Sequence, residues 1–362
     1  MNILFISTYD TPCGIATYTK NLVRELAKEH KVFILAELEP KAFTPLSYID
    51  EDTSSHVFKT WKRNNPYGAA FGLSSITKFL KSNNFQPDVT HIQHEFGIFP
   101  SDDAFFTLLQ ELHNKIITFH TVSPPPLNTG FFSKLENYIV KTITHTPAGH
   151  ALLFKRKGEF GTQTIHELIP HGCPVESLKN KTKLFDGVNI LCPGFISSSK
   201  NLEELIKSFA LAWSNFEVSA YLHIVGLCRD INYLNKLESQ IKSYNLDQNI
   251  LIDEGFKTDQ EMKKYLGGTD FIILGGNNTS PYSASGQLAQ AIGAQLPVIA
   301  KNIPIYRSQN SEKVLFFSNT IECSLFMQTL VNNKELREKL SKHTGFPTWE
   351  EVAKKHINLY NS

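Results

Sequence analysis

Short apolar runs recur through both halves of this 362-residue chain, each followed by a turn-rich loop and then, repeatedly, by an amphipathic helical pattern. In the first half the runs are NILFIS at 2–7, KVFILA at 31–36, DVTHIQ at 88–93 and IITF at 116–119. In the second they are NILCPGFI at 189–196, AYLHIV at 220–225, ILID at 250–253, FIIL at 271–274 and VIA at 298–300. Runs that are apolar on both faces must be covered on both faces, which is how parallel strands behave. The intervening helices carry one apolar face each; in the first, that face is Ile15, Tyr18, Leu22, Val23 and Leu26. Repeated βα units in both halves predict an α/β chain of two Rossmann-like, doubly wound domains. The polar run at 176–186 has linker composition, so the expected boundaries are 1–172, a linker at 173–186, and 187–346. A last amphipathic helix over 348–362 opens with a Thr348/Glu351 capping box.

Composition narrows the class. Hydrophobic residues make up 41% and charged residues 20%, with a net charge of +1, as in an ordinary globular protein. No global field argues for nucleic acid or a membrane surface. Five cysteines (Cys13, Cys173, Cys192, Cys228, Cys323) are scattered without a CxxC pair, which favours reduced thiols in a cytoplasmic protein. The start, MNILFIS, lacks basic residues and reads as a first strand, not a signal peptide. No apolar run approaches the roughly 18 residues needed to span a bilayer.

The most informative stretch is SPYSASGQLAQAIGAQLPVIA at 280–300. After the strand-like 270–274 comes a loop rich in Gly, Asn, Ser and Pro, then a helical pattern with Leu288, Ala291 and Ile292 on one face. Ser285, Gly286 and Gln287 fall at the helix N-terminus, where free amides and the positive end of the helix dipole suit a phosphate. The loop TYDTPCG at 8–14 offers Gly14 but no GxGxxG, which leaves a nicotinamide or flavin poorly supported. His94 and Glu95 follow the strand at 88–93, and His120 follows the one at 116–119; polar groups at such strand ends sit where α/β folds bind ligands. His91 and His94 lack a third metal ligand at a recognisable spacing, so a cleft role for His94 and Glu95 is expected instead. Residues 41–72 show little periodicity and read as a loop; its Lys59, Trp61, Lys62, Arg63 and Tyr67 suit either solvent or contact with a membrane surface, a nucleic acid or a polymeric acceptor. Lys200 stands before a helix that Asn201 and Glu204 are expected to open with a capping box.

Taken together, 280–300, PCGIATYTKNL at 12–22, HIQHEFGIF at 91–99 and IPHG at 169–172 resemble the retaining, sugar-nucleotide-dependent glycosyltransferases of the GT-B fold. The likeness covers nearly the whole chain and is weakest over 41–85. It implies two Rossmann-like domains facing a central cleft, an acceptor domain first and a nucleotide-sugar donor domain second, with the last helix crossing back to the first domain. It further implies that Gly14 faces the donor phosphates and sugar, that His120 hydrogen-bonds the donor sugar, and that Lys200 binds the diphosphate. It also implies that Gly255 and Phe256 lie in the loop that holds the base. The pattern is broken at Tyr282 and Gln290, where the family carries glutamates, and at Phe195, where it usually carries an arginine.

The expected function is transfer of a sugar from a nucleotide diphosphate to an acceptor hydroxyl of an envelope saccharide or glycolipid, with retention of configuration and at most peripheral membrane contact. No cofactor or metal is expected, because the groups offered to the leaving phosphate are cationic and dipolar. Two alternatives stay open: transfer to modified, hydroxymethylated DNA bases, for which Lys59–Arg63 and 155–157 would supply basic patches, and a non-catalytic binding protein that keeps the fold. Loss of both glutamates favours the second; retention of Lys200, His120 and Gly14 opposes it.

Overall fold

A computed structural model describes residues 1–63, 72–99, 103–122, 130–138, 140–155, 165–174, 183–277, 280–309, 313–342 and 345–362. They divide into two compact units. The first holds Met1–Gly172, Pro281–Ala284 and Trp349–Ser362; the second holds Cys173–Ser280 and Ser285–Thr348.

In the first unit, eight strands form one sheet: β1 (Asn2–Ser7), β2 (Lys31–Glu37), β3 (Leu46–Asp50), β4 (Ser55–Trp61), β5 (Val89–His94), β6 (Lys115–Phe119), β7 (Val140–Thr144) and β8 (His166–Leu168). Their order is β3-β4-β2-β1-β5-β6-β7-β8, parallel throughout except where β3 runs against β4. β1 lies at the centre, with Ile3 opposite Val32 on one side and Val89 on the other. The helix Gly14–Leu26 buries the apolar face expected of it, and the C-terminal helix Trp349–Asn361 packs into the same core. Trp349 explains Gly172: a Cβ there would stand 2.6 Å from the indole ring.

The second unit has six strands, β9 (Val188–Pro193), β10 (Ala220–Gly226), β11 (Ile250–Glu254), β12 (Phe271–Leu274), β13 (Val298–Lys301) and β14 (Val314–Phe317), all parallel. Their order is β11-β10-β9-β12-β13-β14, the doubly wound 3-2-1-4-5-6 arrangement. The chain therefore has the α/β, two-sheet architecture of the GT-B fold.

Two local expectations need correction. Residues 41–63 are no loop: β3 and β4 occupy much of that span, Trp61 is fully buried with Nε1 donating to Leu35 O at 3.1 Å, and Lys59 and Lys62 are buried too. The lysine stems lie in the unit while their ammonium groups reach Asp10 O and Pro40 O at 3.2 and 3.0 Å. Arg63 pairs with Glu37 through two bonds of 2.7 Å. Tyr67 and residue 157 lie outside the described residues. The capping box at Asn201 is not formed, because Asn201 adopts a left-handed conformation (φ 48°) and its amide donates to the Glu204 carboxylate at 2.8 Å instead of accepting from the helix backbone.

The first unit encloses a set of histidines. Burial depresses His94 and His145 to about 3, His356 and His171 to about 4, and His91 and His120 well below their ordinary 6.5. The fold keeps these rings neutral while the unfolded chain takes up protons below about pH 6.5, so stability is full above that pH and falls as the pH drops toward 4. A Trp213→Phe variant retains Trp61 and Trp349 of the first unit as its fluorophores. Its urea midpoint by tryptophan emission is expected to fall steeply between about pH 7 and 5; a flat midpoint would show that the rings are not held neutral.

Candidate donor-phosphate site

In a doubly wound sheet, ligands bind beyond the carboxyl ends of the strands where the strand order reverses. In the second unit that point lies between β9 and β12. Lys200 follows β9, in a single turn of 3-10 helix Ser198–Lys200, and the helix Gly286–Gly293 follows β12. The switch point thus gathers the cation and the helix N-terminus that the sequence singled out.

Lys200 Nζ donates to Gln287 Oε1 at 2.8 Å, and Gln287 Nε2 donates to Pro193 O at 2.7 Å. Among the described residues no carboxylate lies within ion-pair distance of Lys200. Burial lowers its pKa, as expected of an ammonium that has lost water without gaining a counter-charge. Glycines make the close approach feasible. Gly194 has φ +114°, and a Cβ there would stand 1.5 Å from Gln287 Nε2; a Cβ at Gly275 would meet Lys200 O at 2.4 Å. Cys192, Gly194, Phe195, Lys200, Gln287 and Tyr306 help to wall a cavity of about 10 Å³, room for a single water.

Ser285 is the N-cap, its Oγ accepting from Leu288 N at 3.2 Å. Its own amide is not available as expected, because it donates to Gln309 Oε1 at 2.9 Å, while Gln309 Nε2 donates back to Ser285 O at 3.2 Å. The amides of Gly286 and Gln287 have no acceptor among the described residues. Gln290 lies on the same helix, one turn beyond Gln287. Gly255 takes a positive φ of 132° just after β11, and the Phe256 side chain is half exposed.

In the first unit, Gly14 begins the helix after β1, and a Cβ there would meet nothing within 4 Å, so packing among the described residues does not demand a glycine. His120 follows β6, with its Nε2 2.8 Å from Gln93 Oε1 and its ring edge-on to Tyr18. Glu95 accepts from Phe96 N at 3.0 Å, and burial raises its pKa. His94 departs from its expected cleft role. It is fully buried, with ring centroids of Phe96, Phe99, Phe105, Phe119 and Phe131 between 4.9 and 5.8 Å away. Tyr282 belongs to the short segment Pro281–Ala284 of this unit, held by Thr146 Oγ1 on Pro281 O at 2.9 Å and by the Thr121 and Ser283 hydroxyls at 2.8 Å. Sequence reading passed over an Asp-x-Asp at Asp50 and Asp52. Asp50 receives the Tyr9 hydroxyl and Asp52 pairs with Arg24, and no group of three or more His, Cys, Asp or Glu among the described residues is placed to hold a metal.

With this geometry in hand, residues 176–344, nearly the whole second unit, match the family model described as glycosyl transferases group 1. Over these residues the second unit is similar to that family. Three solved structures resemble the whole chain. HepE from Anabaena, in complex with UDP and glucose, has a TM-score of 0.74 at 12% identity, covering 100% of both chains. A UDP-forming α,α-trehalose-phosphate synthase from Burkholderia xenovorans, in complex with glucose-6-phosphate, has 0.73 at 9% identity, again covering 100% of both. Sucrose-phosphate synthase from Thermosynechococcus elongatus has 0.69 at 14% identity, covering 100% of this chain and 98% of that one. No curated protein matches the chain by sequence.

Within the second unit, Gly194, Tyr306 and Gln309 were missed. Pro193-Gly194 was a readable strand terminator; Gln309 carries no local signal. The Lys200–Gln287 contact yields a direct test. Gln287→Glu places a carboxylate on the ammonium, so nucleoside-diphosphate affinity by calorimetry should fall about tenfold or more while the fold is kept, since the new pair competes with the ligand for the same charge. Unchanged affinity would remove Lys200 from the site.

Proposed function

We propose that this chain is a nucleotide-sugar-dependent glycosyltransferase, moving a hexose or pentose from a nucleoside diphosphate to an acceptor hydroxyl with retention of anomeric configuration. The observation that carries the reading is Lys200: a largely buried ammonium, answered only by a neutral amide among the described residues, beside two unused helix amides at the switch point. A buried cation of this kind is costly until an anion joins it. When the sugar C1–oxygen bond to the diphosphate breaks, negative charge grows on the leaving phosphate, and the ammonium and amides are aimed to stabilise it more in the transition state than before. The acceptor oxygen bonds to C1 on the face the diphosphate leaves, and its proton passes to a phosphate oxygen. The cationic and dipolar groups need no metal in this scheme.

Burial keeps His120 neutral, which fits a hydrogen bond to a sugar hydroxyl and not a charge contact. Gln290 keeps the length and one carbonyl acceptor of a glutamate and suits a ribose hydroxyl, without charge assistance. Tyr282 offers a hydroxyl or a ring in place of a carboxylate, which favours an unusual sugar. The acceptor in this reading is an envelope saccharide or glycolipid. Transfer to DNA bases loses support, since Lys59 and Lys62 are drawn into the first unit. Five free cysteines are in keeping with a cytoplasmic protein.

A panel of nucleotide-sugars, each assayed for hydrolysis and transfer, tests the activity. Proton NMR of the first product is expected to show the anomer of the donor; inversion would overturn the retaining mechanism. Lys200→Ala is expected to lower turnover about a hundredfold at saturating donor, the usual loss for one transition-state donor. Full turnover in that variant would reduce Lys200 to a structural lysine.

A further inference from the structure

The loops that follow β9, β10 and β11 are tied in register. Ile196 N donates to Leu227 O at 3.0 Å, joining the first two, and Cys228 N donates to Glu254 Oε1 at 3.1 Å, joining the second to the last residue of β11, where the third begins. β10 lies between β9 and β11 in the sheet. Lys200 belongs to the first loop and Gly255 and Phe256 to the third, so a nucleotide spanning phosphate to base passes over the middle one. That loop carries Arg229, exposed, with its guanidinium carbon 5.4 Å from the ring centroid of Phe195. Phe195 is itself a wall of the Lys200 cavity. The adjacent acid, Asp230, uses its side chain to cap the helix Ile231–Ser243, accepting from Asn232 N and Tyr233 N at 3.0 and 3.2 Å.

We propose that Arg229 is a second phosphate-binding residue of the donor site, taking the phosphate nearer the nucleoside while Lys200 takes the one nearer the sugar. The inference rests on the donor reading above. A diphosphate carries more charge than one ammonium and two amides answer, and a guanidinium matches phosphate oxygens with two parallel N–H donors. Its place over Phe195 restrains a side chain that would otherwise lose rotamer freedom on binding. Arg229 thereby supplies a contact specific to the diphosphate and indifferent to the base.

Calorimetry with UDP, GDP and ADP, at low and at high salt, tests this. Arg229→Gln is expected to weaken the tightest of the three about tenfold at low salt, with the gap narrowing at high salt as the charge is screened. Arg229→Lys should recover part of the loss, and binding of the corresponding nucleoside should not change. Arg229→Gln with wild-type affinity, alongside a weakened Lys200→Ala, would overturn the assignment and leave the donor reading standing. An equal loss for nucleoside and diphosphate, insensitive to salt, would overturn it in favour of loop structure. If the unaltered protein binds none of the three diphosphates, the donor reading fails and the assignment with it.

Discussion

A partly buried cation, answered by a neutral amide, sits where the strand ends of the second unit converge. Desolvating an ammonium costs several kcal/mol even after relaxation, a large share of the 5–15 kcal/mol that keeps a domain folded. The contact from Lys200 to Gln287 returns only part of that, since the amide carries no charge. The surrounding backbone is fitted to it. Gly194 leaves room for Gln287, Gly275 leaves room for the Lys200 carbonyl, and a Cβ at Gly226 would stand 1.9 Å from Gly194 O. Three neighbouring strand ends thus give up their side chains at one place. Just behind, Glu204 accepts two bonds from Lys301 at 2.6 and 2.8 Å and also receives Asn201, which anchors the turn that carries Lys200.

Most of the strands were legible because parallel strands buried on two faces write themselves as unbroken apolar runs, whereas β3, β4, β7, β8 and β14 were not read. One of these is informative. β4 reads SHVFKTW, with a lysine in its interior and another just after it, and composition alone assigns such a segment to solvent. The structure resolves the conflict by length: a lysine stem can be covered while its ammonium reaches a carbonyl at the strand end. Asn201 failed for a different reason. Its side chain has two competing uses, as cap acceptor and as donor to Glu204, and the left-handed backbone selects the second.

The candidate site was legible in part. Lys200 and Ser285–Gln287 are local signals, a cation before a helix and a small-residue N-terminus after a strand. The grip of Gln309 on both backbone groups of Ser285 spans 24 residues and leaves no trace in the local pattern. His94 misled because its neighbours in sequence are polar while its neighbours in space are five phenylalanines, two of them contributed by the helices Asp103–Glu111 and Phe131–Leu135. An imidazole at a strand end signals chemistry only when the helices covering that end leave it open, and no local rule reports that.

The first unit is discontinuous, and its last piece is the helix Trp349–Asn361. That helix contributes Trp349, Val352, Leu359 and Tyr360 to the core, and Tyr360 places its hydroxyl 2.6 Å from His91 on the central strand β5. During synthesis the amino-terminal sheet therefore emerges long before the residues that close its core. The second unit, continuous apart from four residues, has its full set of strands as soon as Phe317 has been made. The unit whose sheet is made first is therefore the one whose core is completed last in the chain, since Trp349, Val352, Leu359 and Tyr360 follow every residue of the second unit.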